Sequence, residues 1–392
     1  MRKKIIIILI AVLLSFSIYK IYSYIRIKTA KIEIVLVDDL KLEFNEKKKV
    51  SDFIKSINGK ITDDYIIDSS KLGKKDVKFE FINNDNIKLQ YTFQIEVVDT
   101  VSPLIWLGNN YNVKVGSDID LTKKILCGDN YDSKPKCYIE GVYDLNKEGS
   151  YDLVFKAEDN SGNIEEKAFT LNVYEPVQND NKIEPVYTNF NEVKENYKND
   201  KTVVGLDISS HQGEIDFKKL KEQGVEFVMI RVGYGYNSKY TLDKNFKKNI
   251  EEANKNNIKV GIYFYSYAKT NKEAINDAKW VLKQIKKYKV DLPIAFDWEE
   301  WANFNEYNLS FFGLTNMADV FIKEIEKNGY DGMLYSSKTY LDNIWLENDY
   351  DIWLAQYNNK ITYTGAVKMW QICDNGKIDG IDKTVDIDIM YK

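Results

Sequence analysis

LPIAFDWE, residues 292–299, is a short, continuous apolar run that ends in two acids, Asp297 and Glu299. A run of that length with no polar alternation reads as a strand buried on both faces. Seven more of the same kind surround it: VVGLDIS (203–209), FVMIRVG (227–233), KVGIYFYSY (259–267), DGMLYSS (331–337), DIWLAQY (351–357), KMWQIC (368–373) and VDIDIMY (385–391). Helical periodicity lies between them. Phe246, Ile250 and Ala253 mark one face from Asp243 to Asn257, and Ala274, Ala278, Val281, Leu282 and Ile285 mark one from Asn271 to Tyr288; Gly224, Asn257 and Gly329 stand where left-handed caps would end helices. Strands that alternate with helices predict a parallel β/α barrel over residues 201–392. That is short for eight full units, so the last helices are expected to be reduced or missing.

Working outward, residues 176–200 are dense in Asn, Asp, Glu and Lys and read as a linker. From 31 to 175 the pattern has period two, the mark of half-buried antiparallel strands. Sliding Gly149–Val173 back by 76 residues superposes Asp152 on Asp76, Phe155 on Phe79, Phe169 on Phe93 and Val173 on Val97. This internal repeat predicts two β-sandwich modules, 31–98 and 99–175. Cys127 and Cys137 bracket the hydrophilic stretch CGDNYDSKPKC; a disulfide could staple it, or both thiols stand free near one turn. Cys373 reads as a buried small hydrophobe.

At the N-terminus, Arg2, Lys3 and Lys4 precede an apolar run, and no small-x-small cleavage site follows it. Residues 1–28 therefore read as a retained signal anchor. Ile5 to Ile25 is long enough to cross about 30 Å of hydrocarbon, with the later domains outside the cell; a secreted form after signal cleavage is the alternative.

The 392 residues hold 60 Asp+Glu, 55 Lys+Arg, three Cys and one His. An acidic chain is not expected to bind nucleic acid, and one histidine with three scattered cysteines offers no zinc framework. No metal or other cofactor is expected, and nothing in the sequence fixes an oligomeric state. Acid/base chemistry then falls to carboxylates. Asp207, Asp297, Glu299 and Asp386 all sit at barrel strand ends, where reactive groups of such barrels collect. Asp297 and Glu299 are two apart, so both face one side, with Cα atoms roughly 6.5–7 Å apart. Paired carboxylates among aromatic rings are what glycoside hydrolysis needs, one as a protonated acid and one as an anion.

The ordered motifs GLDISSHQGEIDF, FVMIRVGYG, VGIYFYSYA, PIAFDWE, YSS, IWLAQY, MWQI and GIDKTVDIDIM resemble the muramidases of glycoside hydrolase family 25, the Chalaropsis-type lysozymes, over residues 202–391. The resemblance implies hydrolysis of the β-1,4 bond from N-acetylmuramic acid to N-acetylglucosamine in peptidoglycan. It implies Glu299 as general acid, Asp297 as its anionic partner, and Asp207 and Asp386 as the remaining active-site acids. Whether Asp297 attacks the sugar, activates water or steadies the substrate's N-acetyl group stays open. Tyr263, Tyr335, Trp353, Gln356, Trp370 and Gln371 lie in matching motifs as substrate-groove candidates. Asp388 stands where the family often has Asn, and His211 matches a histidine the family does not use as a base. The stretch from DTVSPLIWLG to NVYE is similar to bacterial immunoglobulin-like modules, the first module less so. A non-catalytic glycan-binding surface protein is the rival reading.

Overall fold

Alternating residues build strands with one wet and one dry face, and the N-terminal half of the chain is mostly that. The computed structural model describes residues 2–176, 185–236, 239–347 and 349–392. Two units form, Met1–Thr100 and Val101–Lys392. The first holds helix α1 (Arg2–Thr29) and strands β1 (Ile34–Leu36), β2 (Lys41–Glu43), β3 (Ile54–Ile57), β4 (Gly59–Ile61), β5 (Gly73–Asn83) and β6 (Lys88–Val98). The second begins with a β module of β7 (Leu104–Trp106), β8 (Asn110–Lys114), α2 (Leu121–Lys124), β9 (Leu126–Gly128), β10 (Lys136–Glu140), β11 (Gly149–Glu158) and β12 (Ile164–Tyr174).

The repeat read from the sequence is visible strand by strand. Gly73 pairs with Val97 and Gly149 with Val173, so the long hairpins β5–β6 and β11–β12 share one register. Each hairpin adds a parallel strand on one side, β2 or β8, and an antiparallel one on the other, β4 or β10. A two-stranded sheet accompanies each, β1–β3 in one and β7–β9 in the other. Cys127 on β9 is bonded to Cys137 on β10.

α1 carries large apolar side chains that are exposed, among them Leu13, Phe16, Ile18, Ile21 and Ile25. Among the described residues no helix is long and apolar enough to cross a membrane, and the side chains of residues 2–12 lie outside the described ones.

The barrel begins earlier than expected. Residues 177–184 of the expected linker lie outside the described residues, but its last part forms β13 (Thr188–Asn189) and α3 (Phe190–Tyr197), with Phe190 and Val193 buried. Asn189 caps this helix by accepting from Asn191 N at 2.8 Å. Then follow β14 (Thr202–Ile208), α4 (Phe217–Glu222), β15 (Phe227–Tyr236), β16 (Lys239–Leu242), α5 (Phe246–Lys255), β17 (Lys259–Ser266) and α6 (Asn271–Ile285). The second half is β18 (Ile294–Asp297), α7 (Phe304–Tyr307), α8 (Phe311–Lys327), β19 (Gly332–Ser337), α9 (Lys338–Asn343), β20 (Asp351–Ala355), β21 (Met369–Lys377) and β22 (Val385–Tyr391). The eight expected strands close in the order β14, β15, β17, β18, β19, β20, β21, β22, and no α-helix follows β20 or β21 among the described residues.

One feature differs from a fully parallel barrel: β22 runs antiparallel to both neighbours, β21 and β14. Only residues 378–384 separate β21 from β22, and a parallel crossover needs about a dozen or more. The reversed strand brings its start, not its end, to the rim where the other strands finish.

The β module and the barrel are one unit, joined where the chain leaves β18. Asn305 Oδ1 accepts from Cys127 N at 2.9 Å, and its Nδ2 donates to the carbonyls of Thr122 (2.9 Å) and Ile125 (2.8 Å). The first N–H groups of α8, on Phe311 and Phe312, donate to the carbonyls of Asp129 and Asn130 at 2.8 and 3.1 Å. A helix start leaves such donors without internal partners, and here the module supplies them. Leu126 packs into the barrel's outer core. A β-carbon on Gly128 would lie 2.6 Å from Phe311 Cε1, so only glycine lets β9 rest on that ring.

Opening the 127–137 loop with Cys137→Ser should lower the stability of this unit by about 2–3 kcal/mol, from the loop-closure entropy alone. Urea unfolding of the variant and parent checks it; equal midpoints would contradict it.

Candidate active site

Strand parity decides which side chains meet. Inside the barrel lie Phe227, Met229, Ala295, Met333, Trp353 and Met369, with Tyr263 and Tyr335 against them. At the rim end the interior opens into a cavity of about 250 Å³ lined by Asp207, His211, Arg231, Tyr263, Tyr265, Asp297, Glu299, Tyr335, Trp353 and Asp386. All four expected acids are in it. Asp207 and Asp297 end β14 and β18, whereas Asp386 stands at the start of the reversed β22 and pairs directly across from Asp207. Glu299 lies just past β18, not on it, and opens toward solvent. Trp298 between them points the other way into the outer core.

The floor is a hydrogen-bonded frame. Gln371, fully buried, accepts from the hydroxyls of Tyr335 and Tyr357 at 2.9 Å each. Its amide nitrogen is thereby turned to donate to Asp207 Oδ2 and Asp386 Oδ2, both at 3.3 Å. Trp353 Nε1 donates to Asp388 Oδ1 at 2.8 Å, and Asp388 is fully buried. Thus Gln371 and Trp353 hold carboxylates, and Tyr263 and Tyr335 line the cavity. The other two groove candidates point away. Trp370 packs outward with its ring edge-on to Tyr197 at 5.4 Å and its Nε1 on Gln356 O. The Gln356 side chain orders its own loop through Thr362. The reason is the strand period: Gln371 faces in, so its neighbour Trp370 must face out.

Arg231 is the functional residue that pattern reading passed over. Its Nε and Nη2 reach Asp243 Oδ2 at 3.1 and 2.8 Å, and Nη2 reaches Ser210 Oγ at 3.3 Å. Asp243 also accepts from Ser210 N and Asn245 N. These bonds hold its carboxyl below the ordinary range despite burial, so the pair stays ionic and fixes the loop beside Asp207. A signal existed: the chain has only three arginines, Arg2, Arg26 and Arg231, against many lysines. Ser209 spends its hydroxyl as a cap for the His211 N–H at 3.1 Å, and the exposed His211 forms part of the cavity wall.

Crowding of like charges sets the protonation. Burial first, then Glu299, holds the Asp297 carboxyl well above the usual range, with Arg231 opposing. Burial, Asp386 and Asp388 do the same to Asp207, which the Tyr263 hydroxyl opposes. Burial, then Asp374 and Glu299, pushes Asp386 up to about 7, against a hydrogen bond to Asp207. Glu299 is raised by the enclosing pocket wall and by Glu300. Asp388 is raised by burial and then Asp386, which the Trp353 N–H partly offsets. Asp207 Oδ1, Asp297 Oδ1 and Asp388 Oδ2 are buried without a hydrogen-bond partner among the described residues. Unpartnered buried acceptors with raised pKa values in a cavity mark a candidate reactive site. The cluster retains protons, on Asp297 as well as on Glu299, and Glu299 at the mouth is the acid placed to reach a leaving oxygen.

The family model for glycosyl hydrolases family 25 matches residues 206–381. An autolytic lysozyme of Clostridium acetobutylicum is 30% identical over 187 residues, 47% of this chain and 54% of that protein; the chain thus spans about half of that relative's length. The uncharacterized protein YegX of Escherichia coli K12 is 26% identical over 198 residues, 48% of this chain and 69% of that one. Among solved structures, a family 25 glycosyl hydrolase from Bacillus anthracis is 27% identical with a TM-score of 0.44, over 50% of this chain and 92% of that one. The modular autolysin LytC from Streptococcus pneumoniae, solved with a synthetic peptidoglycan ligand, is 28% identical with a TM-score of 0.43, over 61% of this chain and 56% of that one. The chain carries a family 25 glycosyl hydrolase domain.

Asp388→Asn keeps an acceptor for Trp353 and removes a buried charge. Because the folded carboxyl titrates above the unfolded one, its contribution to stability is lost as pH rises through the raised value. The variant should therefore be more stable than the parent by about 1–2 kcal/mol at pH 8 and by little at pH 4. Urea unfolding at both pH values checks this; a difference independent of pH would contradict it.

Proposed function

We propose that the chain is a peptidoglycan hydrolase, an N-acetylmuramidase that cleaves the β-1,4 bond between N-acetylmuramic acid and N-acetylglucosamine without a cofactor. The observation that carries this reading is a raised Glu299 at the cavity mouth beside Asp297, both inside the stretch matched by the family model. Similarity to the clostridial autolytic lysozyme supports the same substrate class. Glu299 gives its proton to the leaving oxygen, and Asp297, ionised when Glu299 carries the shared proton, supplies the negative charge that the developing oxocarbenium requires. Asp207 and Asp386, tied together by Gln371, hold the acidic field around them.

In this reading α1 anchors the protein in the bacterial membrane, with the later domains outside. Its support is a 28-residue helix, about 42 Å long at 1.5 Å per residue, whose described apolar side chains from Leu13 to Ile27 are mostly exposed in the protein itself. Along the chain, the two β modules, immunoglobulin-like in this reading, come between anchor and barrel. Such a tether suits trimming of the producer's own wall more than lysis at a distance.

Purified chain should release new reducing ends from peptidoglycan, and Glu299→Gln should lower that rate by about 10²–10⁴-fold. Equal rates, or none from either, would favour a non-catalytic glycan grip. The rate should fall as pH rises through the Glu299 pKa. Repulsion between Asp386 and Glu299 is mutual and helps hold that proton; Asp386→Asn should move the alkaline limb of kcat/KM to lower pH, and an unmoved limb would contradict the coupling. Fractionation of producing cells tests the anchor: full-length protein belongs with membranes, and its recovery from the medium would refute the tether.

A further inference from the structure

The β module meets the barrel at the loop that follows Glu299. Its strand β7 alternates in the usual way: Ile105 is buried in the module core and Trp106 points outward, 38% exposed. An outward tryptophan adds nothing to the module's own core. Its ring instead lies beside Tyr340 of α9, centroids 6.0 Å apart and planes tilted by 44°. Tyr340 in turn stacks on Trp301 at 3.8 Å and 14°. Trp301 is two residues past Glu299, and the Glu299 carboxylate is one of the causes that raise the Tyr340 hydroxyl. A run of three rings therefore leads from the loop that carries Glu299 onto the β module.

The position of Trp106 is fixed independently of that run. It pairs with Leu126 across β7–β9, and Leu126 is packed into the barrel's outer core. β9 is pinned by the Asn305 bond to Cys127, while Lys124 Nζ donates to Asn303 Oδ1 at 2.8 Å. Asn303 and Asn305 belong to the same short segment as Trp301, so the module, the loop after Glu299 and the ring run are held as one piece. Sugar rings present C–H faces that stack on aromatic surfaces, and indole is the largest such surface available to a protein.

We propose that Trp106, flanked by Tyr340 and with Trp301 packed behind Tyr340 against Phe304, forms a sugar-binding platform on the β module that grips a glycan strand beyond the bond being cut. This rests on the glycan-hydrolase reading above and adds that the β module is part of the substrate site. It follows that the enzyme favours long strands over short oligosaccharides.

The test uses the full chain with Trp106→Ala and Trp106→Phe. Hydrolysis is followed on long glycan strands prepared from peptidoglycan and on a tetrasaccharide of the same sugars. Binding to insoluble peptidoglycan is measured in the Glu299→Gln background, where turnover does not interfere. With alanine, KM for long strands should rise about tenfold, equivalent to 1.4 kcal/mol of lost stacking, with a much smaller rise for the tetrasaccharide. Binding in the Glu299→Gln background should weaken by a similar factor, and phenylalanine should restore most of both losses. Equal KM and binding with and without the indole would overturn the platform while leaving the hydrolase reading intact. Losses of the same size on long and short substrates would also overturn it, since they would mark a purely structural role. A parent that binds through Trp106 but hydrolyses nothing would keep the platform and remove the hydrolase reading.

Discussion

Mutual repulsion among five carboxyl groups at one end of the barrel is the constraint that the surrounding structure answers. Asp207, Asp297, Glu299 and Asp386 line one cavity, with Asp388 buried beside Asp386, and the one guanidinium in its wall, Arg231, is already paired to Asp243. Charge of this kind costs stability unless protons or hydrogen bonds relieve it. The relief comes from neutral donors: the Gln371 amide spans Asp207 and Asp386, the Trp353 indole holds Asp388, and the tyrosine hydroxyls fix Gln371. What these donors leave unrelieved appears as retained protons, and a retained proton is what a general acid needs. Antiparallel closure by β22 matters for the same reason. It brings Asp386 opposite Asp207, where a parallel strand would carry that residue to the far end.

A second consequence concerns where the active site ends. The loop after β18 carries Glu299, and its continuation through Asn303, Asn305 and the start of α8 is held by backbone and side chains of the β module. Each bond contributes about 1 kcal/mol net, but a donor left buried without its partner would cost about 1–3 kcal/mol. The module and the catalytic loop are therefore energetically dependent on one another, and a barrel cut away from its module would expose Phe304, Phe311 and the first turn of α8.

Much of the barrel was legible because parallel strands covered on both faces must be continuously apolar, and eight such runs stand in the sequence. The four acids were legible because charged residues at the ends of such runs need a reason to be there. Other features were lost to specific causes. Trp370 and Gln371 both lie in a groove motif, but neighbours on one strand cannot share a face, and the inward Gln371 turns Trp370 outward. Phe190, Val193 and Tyr197 were hidden in a polar stretch too short to show a sustained period, so a barrel helix read as linker. Arg231 lay inside an apolar run and drew no notice, though its rarity in a lysine-rich chain was a sign. The contact between module and barrel could not be read at all. It joins residues about 180 positions apart, largely through backbone carbonyls that every sequence possesses.

Carbon-13 NMR titration of the labelled carboxyl groups in the whole protein, compared with Asp386→Asn, addresses the proton sharing directly. The expected result is an Asp386 signal that titrates at about 7 in the parent and is missing from the variant, where the signal of Asp277 at about 7 remains and the remaining pocket signals shift to lower pH. If the signals of Asp207, Asp297, Glu299 and Asp386 all titrate below about 5, near the ordinary range, whatever the separately buried Asp277 does, the site does not retain protons, and the assignment of Glu299 as a general acid held protonated by its neighbours is wrong.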